Sequence, residues 1–359
     1  MLAALEAQRL RLRPVETAPA AAAAATGTGE ELPEKEQQRI RQEFFAAGLE
    51  KWLPLVADLS FPSKSLPLSR EACEALLAAD GATADAAAAG LARGIDEAMD
   101  DCGWDRVFVK LSTRSPKDAP KILERAREAF RAREGSQLPL QERARLLAEL
   151  VQQQFGVSSG AEALELLTSS ARVREDLEYA LEAPCYEELK LHVVLRRYDG
   201  ALPIASEFRG IVWGGALNAL GQYYHPLVFP ELQGQRERIE RDLREVHKNL
   251  QPKLSADGFT HCIIDFAWLG PGKVRVIEIN PFDGVALGCF PGSTGLFRWD
   301  DEDDRRTITH GPFQFRIRKE PLSDSALKLN LNTTWRDIVA PQPRHWRASA
   351  AKSSHAGPA

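Results

Sequence analysis

Residues 259–284, FTHCIIDFAWLGPGKVRVIEINPFDG, constrain the fold of this 359-residue chain more than any other stretch. Two apolar runs, 262–268 and 273–280, are rich in Ile, Val, Phe and Trp and flank Leu269-Gly270-Pro271-Gly272. Strand formers on either side of turn residues predict a β-hairpin. Three oxygen-bearing side chains interrupt the runs: Asp265, Glu278 and Asn280. Alternation along a strand puts Glu278 and Asn280 on one face. With Trp268 paired to Lys273, Asp265 lies opposite Val276 and Glu278 becomes its diagonal neighbour. Two carboxylates and an amide on a half-buried patch repel and desolvate one another unless something positive neutralises them. Hard oxygen ligands at this spacing suit Mg²⁺, which takes one or two carboxylates and completes its shell with water and substrate phosphates. On these residues alone, a surface hairpin whose acids face water remains the plainer alternative.

Composition excludes several classes. With 44% hydrophobic residues the chain can build one large domain or two smaller ones sharing an interface. A net charge of −5 offers no basic surplus for general nucleic-acid binding. Cys73, Cys102, Cys185, Cys262 and Cys289 are scattered and form no CxxC pair. That argues against a zinc motif or a disulfide framework and for a reduced compartment, the cytoplasm. No run approaches the roughly 20 apolar residues that span a bilayer, so no membrane association is expected. Arg9, Arg11 and Arg13 precede an alanine run, but Glu6 and Glu16 depart from the acid-poor pattern of transit peptides. Residues 1–33 therefore read as a disordered leader, and 341–359 as a disordered tail.

Between these ends, periodicity and caps predict helices over 34–49, 70–79 after Ser69, 84–102 after Thr83, 120–134, 140–155, 161–168 and 233–250. Strands are predicted over 106–111, 188–198 and 207–213. Ser65-Leu66-Pro67-Leu68 reads as the edge of a loop, and Gly90 and Gly94 as close packing contacts. The i, i+4 Glu and Arg of 233–250 predict a solvated face. Helices and strands interleave without a regular βαβ rhythm, so the class is α+β.

Chemistry gathers in three further places. Lys110 ends the buried run RVFVKL beside a polar loop, 112–119, that carries Arg114 and Lys117, with Asp118 at a helix start. A lysine so placed can neutralise phosphate oxygens as a compact charge. The run 193–198 ends in Leu195-Arg196-Arg197-Tyr198, which reads either as an edge strand with exposed arginines or as backbone offered to a base edge. Glu207 and Arg209 share a strand face, and a plain ion pair between them is the simplest expectation.

The Glu-Ile-Asn strand running into Pro281-Phe282 and Gly284 resembles the last metal-binding strand of the ATP-grasp fold. The chain as a whole resembles the cell division cycle protein 123 family, an ATP-grasp family. The match runs in order over about three quarters of the chain: the Trp52 region, GIDEAMDDCGWDRVFVKLSTRSPKDA, ELKLHVVLRRY, LPIASEFRGIVWGG, GQYYHP, IIDFAWLGPGKVRVIEINPFDG and GLFRWDD. The resemblance implies two lobes over 34–320 with a nucleotide cleft between antiparallel sheets, and a C-terminal extension over 321–359. It implies that Lys110 faces phosphate, that Leu195, Arg196, Arg197 and Tyr198 read adenine, and that Asp265, Glu278 and Asn280 hold Mg²⁺. Arg209 matches the arginine of the family's glutamate-phenylalanine-arginine strand.

Two departures stand out. Ser112-Thr113-Arg114 replaces a loop in which the family carries a tryptophan, and Leu217-Asn218-Ala219 stands where the family has a glutamine-arginine-aspartate run. The long acidic linker of the family's N-terminal third is also absent. What the resemblance implies is a monomeric, cytoplasmic, Mg-ATP-binding chaperone that promotes assembly of eukaryotic translation initiation factor 2 and binds one of its subunits. The alternative is an ATP-grasp ligase that activates a carboxylate as an acyl phosphate for coupling to an amine or thiol. Arg209 and Arg114 would then be its catalytic cations.

Overall fold

The structure, a computed structural model, describes residues 45, 47–78, 86–133, 137–182, 190–282 and 294–340. The leader, most of the predicted helix over 34–49, the Thr83 cap, the first two residues of the predicted strand over 188–198, Gly284 and the tail from 341 lie outside the described residues. Helices are α1 (Arg70–Ala78), α2 (Ala86–Cys102), α3 (Pro120–Ala132), α4 (Leu140–Gln153), α5 (Gly160–Ser169) and α6 (Ala171–Glu182). They continue with α7 (Arg236–Ala256), α8 (Glu302–His310), α9 (Asp324–Asn330) and α10 (Thr333–Val339). Strands are β1 (Ser63–Pro67), β2 (Val107–Leu111), β3 (Gly156–Val157), β4 (His192–Arg197) and β5 (Glu207–Trp213). They continue with β6 (Ala216–Gln222), β7 (Cys262–Trp268), β8 (Val274–Pro281) and β9 (Gln314–Arg316). No described helix is long and apolar enough to cross a membrane.

The strands form two sheets, as an α+β chain requires. The first has the order β1-β4-β2-β3 and is antiparallel throughout. The second has the order β8-β7-β5-β6-β9 and is antiparallel except where β9 runs parallel to β6. The expectation of purely antiparallel sheets is corrected at that one pair. One apolar cluster spans both sheets, from Val109 and Leu195 to Phe208, Phe266 and Val276. Residues 63–67, expected beside a loop, form the edge strand β1. Its Pro67 needs no ladder donor there, which is where a proline fits a sheet. Helices α6, α8, α9 and α10 and strands β3, β6 and β9 are additions to the elements expected from sequence. Four acids and two arginines among the twelve residues of α6 mask its apolar stripe.

The hairpin forms, with a different register. Trp268 pairs with Val274, and a bulge between Asp265 and Phe266 sets Asp265 directly opposite Glu278. The turn closes through the Leu269 N–H on the Lys273 carbonyl (2.8 Å), with Gly270 and Gly272 both at positive φ. Asp242 on α7 pins this turn: its Oδ2 accepts from Trp268 Nε1 (2.9 Å) and from the Gly272 N–H (2.8 Å). The solvated face expected of α7 therefore excludes Asp242, which is buried.

A Cβ added to Gly94 would meet nothing within 4 Å, and one on Gly90 would meet only a flexible arginine at 3.9 Å. Neither marks close packing. The close approach occurs where α2 meets α5: a Cβ on Gly160 would run into the Ala92 carbonyl oxygen.

Candidate functional site

The two sheets face each other across a solvent-open cleft. Phe108, Lys110 and Arg196 reach it from the first sheet, Glu207 and Glu278 from the second, and Lys117 from the loop after β2.

Lys110 alternates with Val109 and Leu111 on β2 and is itself buried, 3% exposed. Its Nζ donates to Glu278 Oε1 at 2.6 Å, so one ion pair bridges the sheets. Burial alone would push the Glu278 carboxyl up, but the ammonium of Lys110, with Lys117 and Arg196, outweighs it and holds the group well below the usual carboxylate range. Burial in turn pushes the Lys110 ammonium down, and Glu278 offsets only part of that.

Asp265 lies beside Glu278 on the neighbouring strand and is opposite Arg209 on β5. Arg209 grips it bidentately: Nε to Oδ1 at 2.8 Å and Nη2 to Oδ2 at 2.7 Å. The ion pair expected between Arg209 and Glu207 is corrected; cross-strand register, not sequence spacing, chooses the partner. The guanidinium also lies 4.8 Å from the centre of the Tyr223 ring. Burial pushes the Glu207 carboxyl up, with Lys117 opposing. Asn280 lies two residues beyond Glu278 on β8, opposite Ile263.

The repulsion expected among Asp265, Glu278 and Asn280 is thus already neutralised by protein cations. Among the described residues no three His, Cys, Asp or Glu side chains are grouped to hold a metal. Two adjacent carboxylates and an amide oxygen nonetheless match the donor chemistry of Mg²⁺. Each carboxylate oxygen engaged by Arg209 or Lys110 keeps a second lone pair, so these contacts leave acceptor capacity for a cation.

Leu195, Arg196 and Arg197 lie in the interior strand β4, which removes the edge-strand reading. Leu195 is wholly buried. Arg196 is 7% exposed; its Nη1 donates to the Ile277 carbonyl (2.7 Å), a second link between the sheets. Burial lowers its pKa to about 10. Arg197 and Tyr198 line the cleft. Their amides are committed, Arg197 N–H to Pro62 O (2.9 Å) and Tyr198 N–H to Arg106 O (3.0 Å). Of the backbone groups expected to meet a base edge, these two amides are therefore already engaged, and the Arg197 and Tyr198 side chains line the cleft.

Arg114 does not line the cleft. It is bound at 2.6 Å to Asp176 Oδ1 and at 3.2 Å to Glu175 Oε2, both on α6. Asp118 does not cap its own helix either. Its carboxylate accepts from Ser170 Oγ (2.5 Å) and the Arg172 N–H (3.2 Å), at the start of α6. Sequence reading missed Glu207 as a cleft residue, and with it the aromatic wall of Phe61, Phe108 and Phe155, which only the meeting of distant segments assembles. Leu217-Asn218-Ala219 lies within β6, where Asn218 Nδ2 donates to the Ile308 carbonyl (2.8 Å).

No curated protein sequence matches the chain. A family model described as D123 matches residues 150–332. Among solved structures, the chain is similar to Cdc123 from Schizosaccharomyces pombe, with a TM-score of 0.57 at 18% identity over 78% of this chain and 98% of that one. A C-terminally truncated Cdc123 from the same organism gives a TM-score of 0.56 at 18% identity over the same shares. At that identity the likeness concerns the fold.

Proposed function

The chain belongs to the D123 family, that of cell division cycle protein 123 (Cdc123), and on that premise we propose that it is an Mg-ATP-binding assembly chaperone for eukaryotic translation initiation factor 2, built on an ATP-grasp-like frame. One observation carries the reading: a buried lysine, Lys110, shares a cleft with Lys117, Arg196 and Arg197, four cations against the carboxyls of Asp199, Glu207 and Glu278, of which burial pushes that of Glu207 up. That surplus of positive charge suits a polyphosphate. The aromatic wall suits a base. Asp265, Glu278 and Asn280 would hold the metal, which supplies charge neutralisation for the phosphates.

The ligase alternative is not favoured. Both cations it needed are committed elsewhere, Arg209 to Asp265 and Arg114 to Asp176. A binding function requires neither to be released.

Two measurements test the reading. Mg-ATP at 100 times its dissociation constant is expected to stabilise the protein by about 2.7 kcal/mol in a thermal-shift assay. Purified initiation factor 2 subunits are expected to be retained on the immobilised protein more strongly with Mg-ATP than without. No thermal shift would overturn the nucleotide site, and no retention of any subunit would overturn the chaperone role.

A further inference from the structure

We propose that Arg196 is a positioning residue that acts on a bound ligand through Glu278, by holding β8 in place against the first sheet; the inference rests on the nucleotide reading above. The first observation is a seam along β8. Four consecutive residues of this strand each meet the first sheet or the segment that leads into it. Arg275 Nη1 donates to the Asp58 carbonyl (2.9 Å), and Ser60 Oγ donates to the Val276 carbonyl (2.8 Å). Arg196 Nη1 donates to the Ile277 carbonyl (2.7 Å), and Lys110 Nζ to Glu278 Oε1 (2.6 Å). The first two contacts come from the chain just before β1, where Ser60 bridges Val276 in parallel on the outer edge of β8. The last two come from the interior strands β4 and β2.

The second observation is how Arg196 is held. Phe108 lies opposite it in the register of β2 and β4, so Arg196 and Lys110 share one face of the first sheet. The guanidinium is braced within its own sheet. Its Nε donates to Ser63 Oγ (3.3 Å), and it lies 5.7 Å from the centre of the Phe61 ring. Its grip on β8 is on the backbone, one residue from Glu278 and three from Asn280. A ligand that draws Lys110 to its phosphates breaks the Lys110–Glu278 pair. The arginine link takes no part in that exchange, so the strand of the metal ligands keeps its place.

The third observation is charge. Burial raises the Glu278 carboxyl, and Lys110, Lys117 and Arg196 together lower it further than burial raises it. Burial likewise lowers the Arg196 guanidinium, and Glu278 opposes that. Arg196 therefore helps to keep Glu278 ionised, the form in which a carboxylate holds a divalent cation. Arg196 Nη2 is buried and has no hydrogen-bond partner among the described residues. The guanidinium thus retains a donor that the folded chain does not use, available to the carboxylate once Lys110 turns to phosphate. A strand braced in this way before the ligand arrives loses little freedom when it binds.

The test measures binding of Mg-ATP and of Mg-tripolyphosphate by calorimetry. Arg196→Met is expected to weaken both ligands alike, about tenfold, as the loss of one charge-assisted hydrogen bond implies. Arg196→Lys is expected to regain part of the loss. In a Glu278→Gln background, Arg196→Met is expected to weaken neither ligand by more than about a further twofold, because residues that act through one another are not additive. If Arg196→Met does not fold, Ser63→Ala, which frees only Nε, carries the comparison. Equal but smaller losses for the two ligands then support the proposal, and a loss for ATP alone, or none, overturns it. For Arg196→Met, weakening of ATP alone makes the residue a reader of the base. Losses that add in the double variant make it a direct phosphate contact. Either result overturns the proposal while the nucleotide reading stands. If the wild type binds neither ligand, both fall.

Discussion

Lys110 and Glu278, 168 residues apart in sequence, meet at 2.6 Å and join the two sheets across the cleft. The contact is built from a lysine side chain that is 4% exposed and a carboxylate side chain that is 21% exposed. Because each partner is desolvated, each needs the other more than the pair contributes as a unit.

Removing either partner alone is therefore expected to destabilise the protein. Lys110→Met and Glu278→Gln should each cost about 3 kcal/mol, and the double variant less than the sum. Urea denaturation of the four proteins measures the coupling. Equal and additive losses would contradict the pairing.

Asp265 is buried more deeply and spends both oxygens on Arg209. Asp265→Asn is expected to cost about 3–5 kcal/mol, more than Glu278→Gln, because it leaves a guanidinium without its counter-charge. The sequence alone argues the reverse, that removing an acid relieves repulsion. Denaturation in EDTA decides between them by the sign of the change.

Two glycines at helices separate packing from propensity. Gly160→Ala drives a methyl into the Ala92 carbonyl and is expected to cost about 1–3 kcal/mol, by forcing α2 and α5 apart. Gly94→Ala, in open space within α2, is expected to stabilise by about 1 kcal/mol. Thermal melts of the two variants should move in opposite directions.

Burial alone pushes the His247 imidazole on α7 from its ordinary 6.5 down to about 4. Between those values the unfolded chain takes up a proton that the folded chain refuses. Stability therefore falls as pH drops through this window, by on the order of 3 kcal/mol. Comparing urea curves near neutral pH and at about pH 4, the drop should be smaller in His247→Leu than in wild type.

Much of the frame was legible because it is written locally. Ser69 caps α1, its Oγ accepting from the Ala72 N–H (3.2 Å). Glu207–Trp213 and Cys262–Trp268 stand at the predicted bounds. What could not be read was partner choice. Asp265 takes Arg209 rather than facing water because β5 lies beside β7, and the bulge that brings Glu278 opposite Asp265 leaves no mark in composition. Arg114 and Lys117, three residues apart in one loop, look equivalent as letters. Only the placement of α6, itself obscured by its charges, turns the first into an anchor and leaves the second for the cleft.

The parallel strand β9 has a consequence beyond the site. Gln314–Arg316 lies along the outer margin of β6, and Arg318 N–H closes onto Gln222 Oε1 (2.8 Å). A chain cut before this point would leave β6 with a bare row of amides and carbonyls, a template for pairing with another copy. The segment thus serves as a hem on the sheet. What such a truncation would cost first is freedom from aggregation, with the cleft's side chains still in place on the strands that carry them.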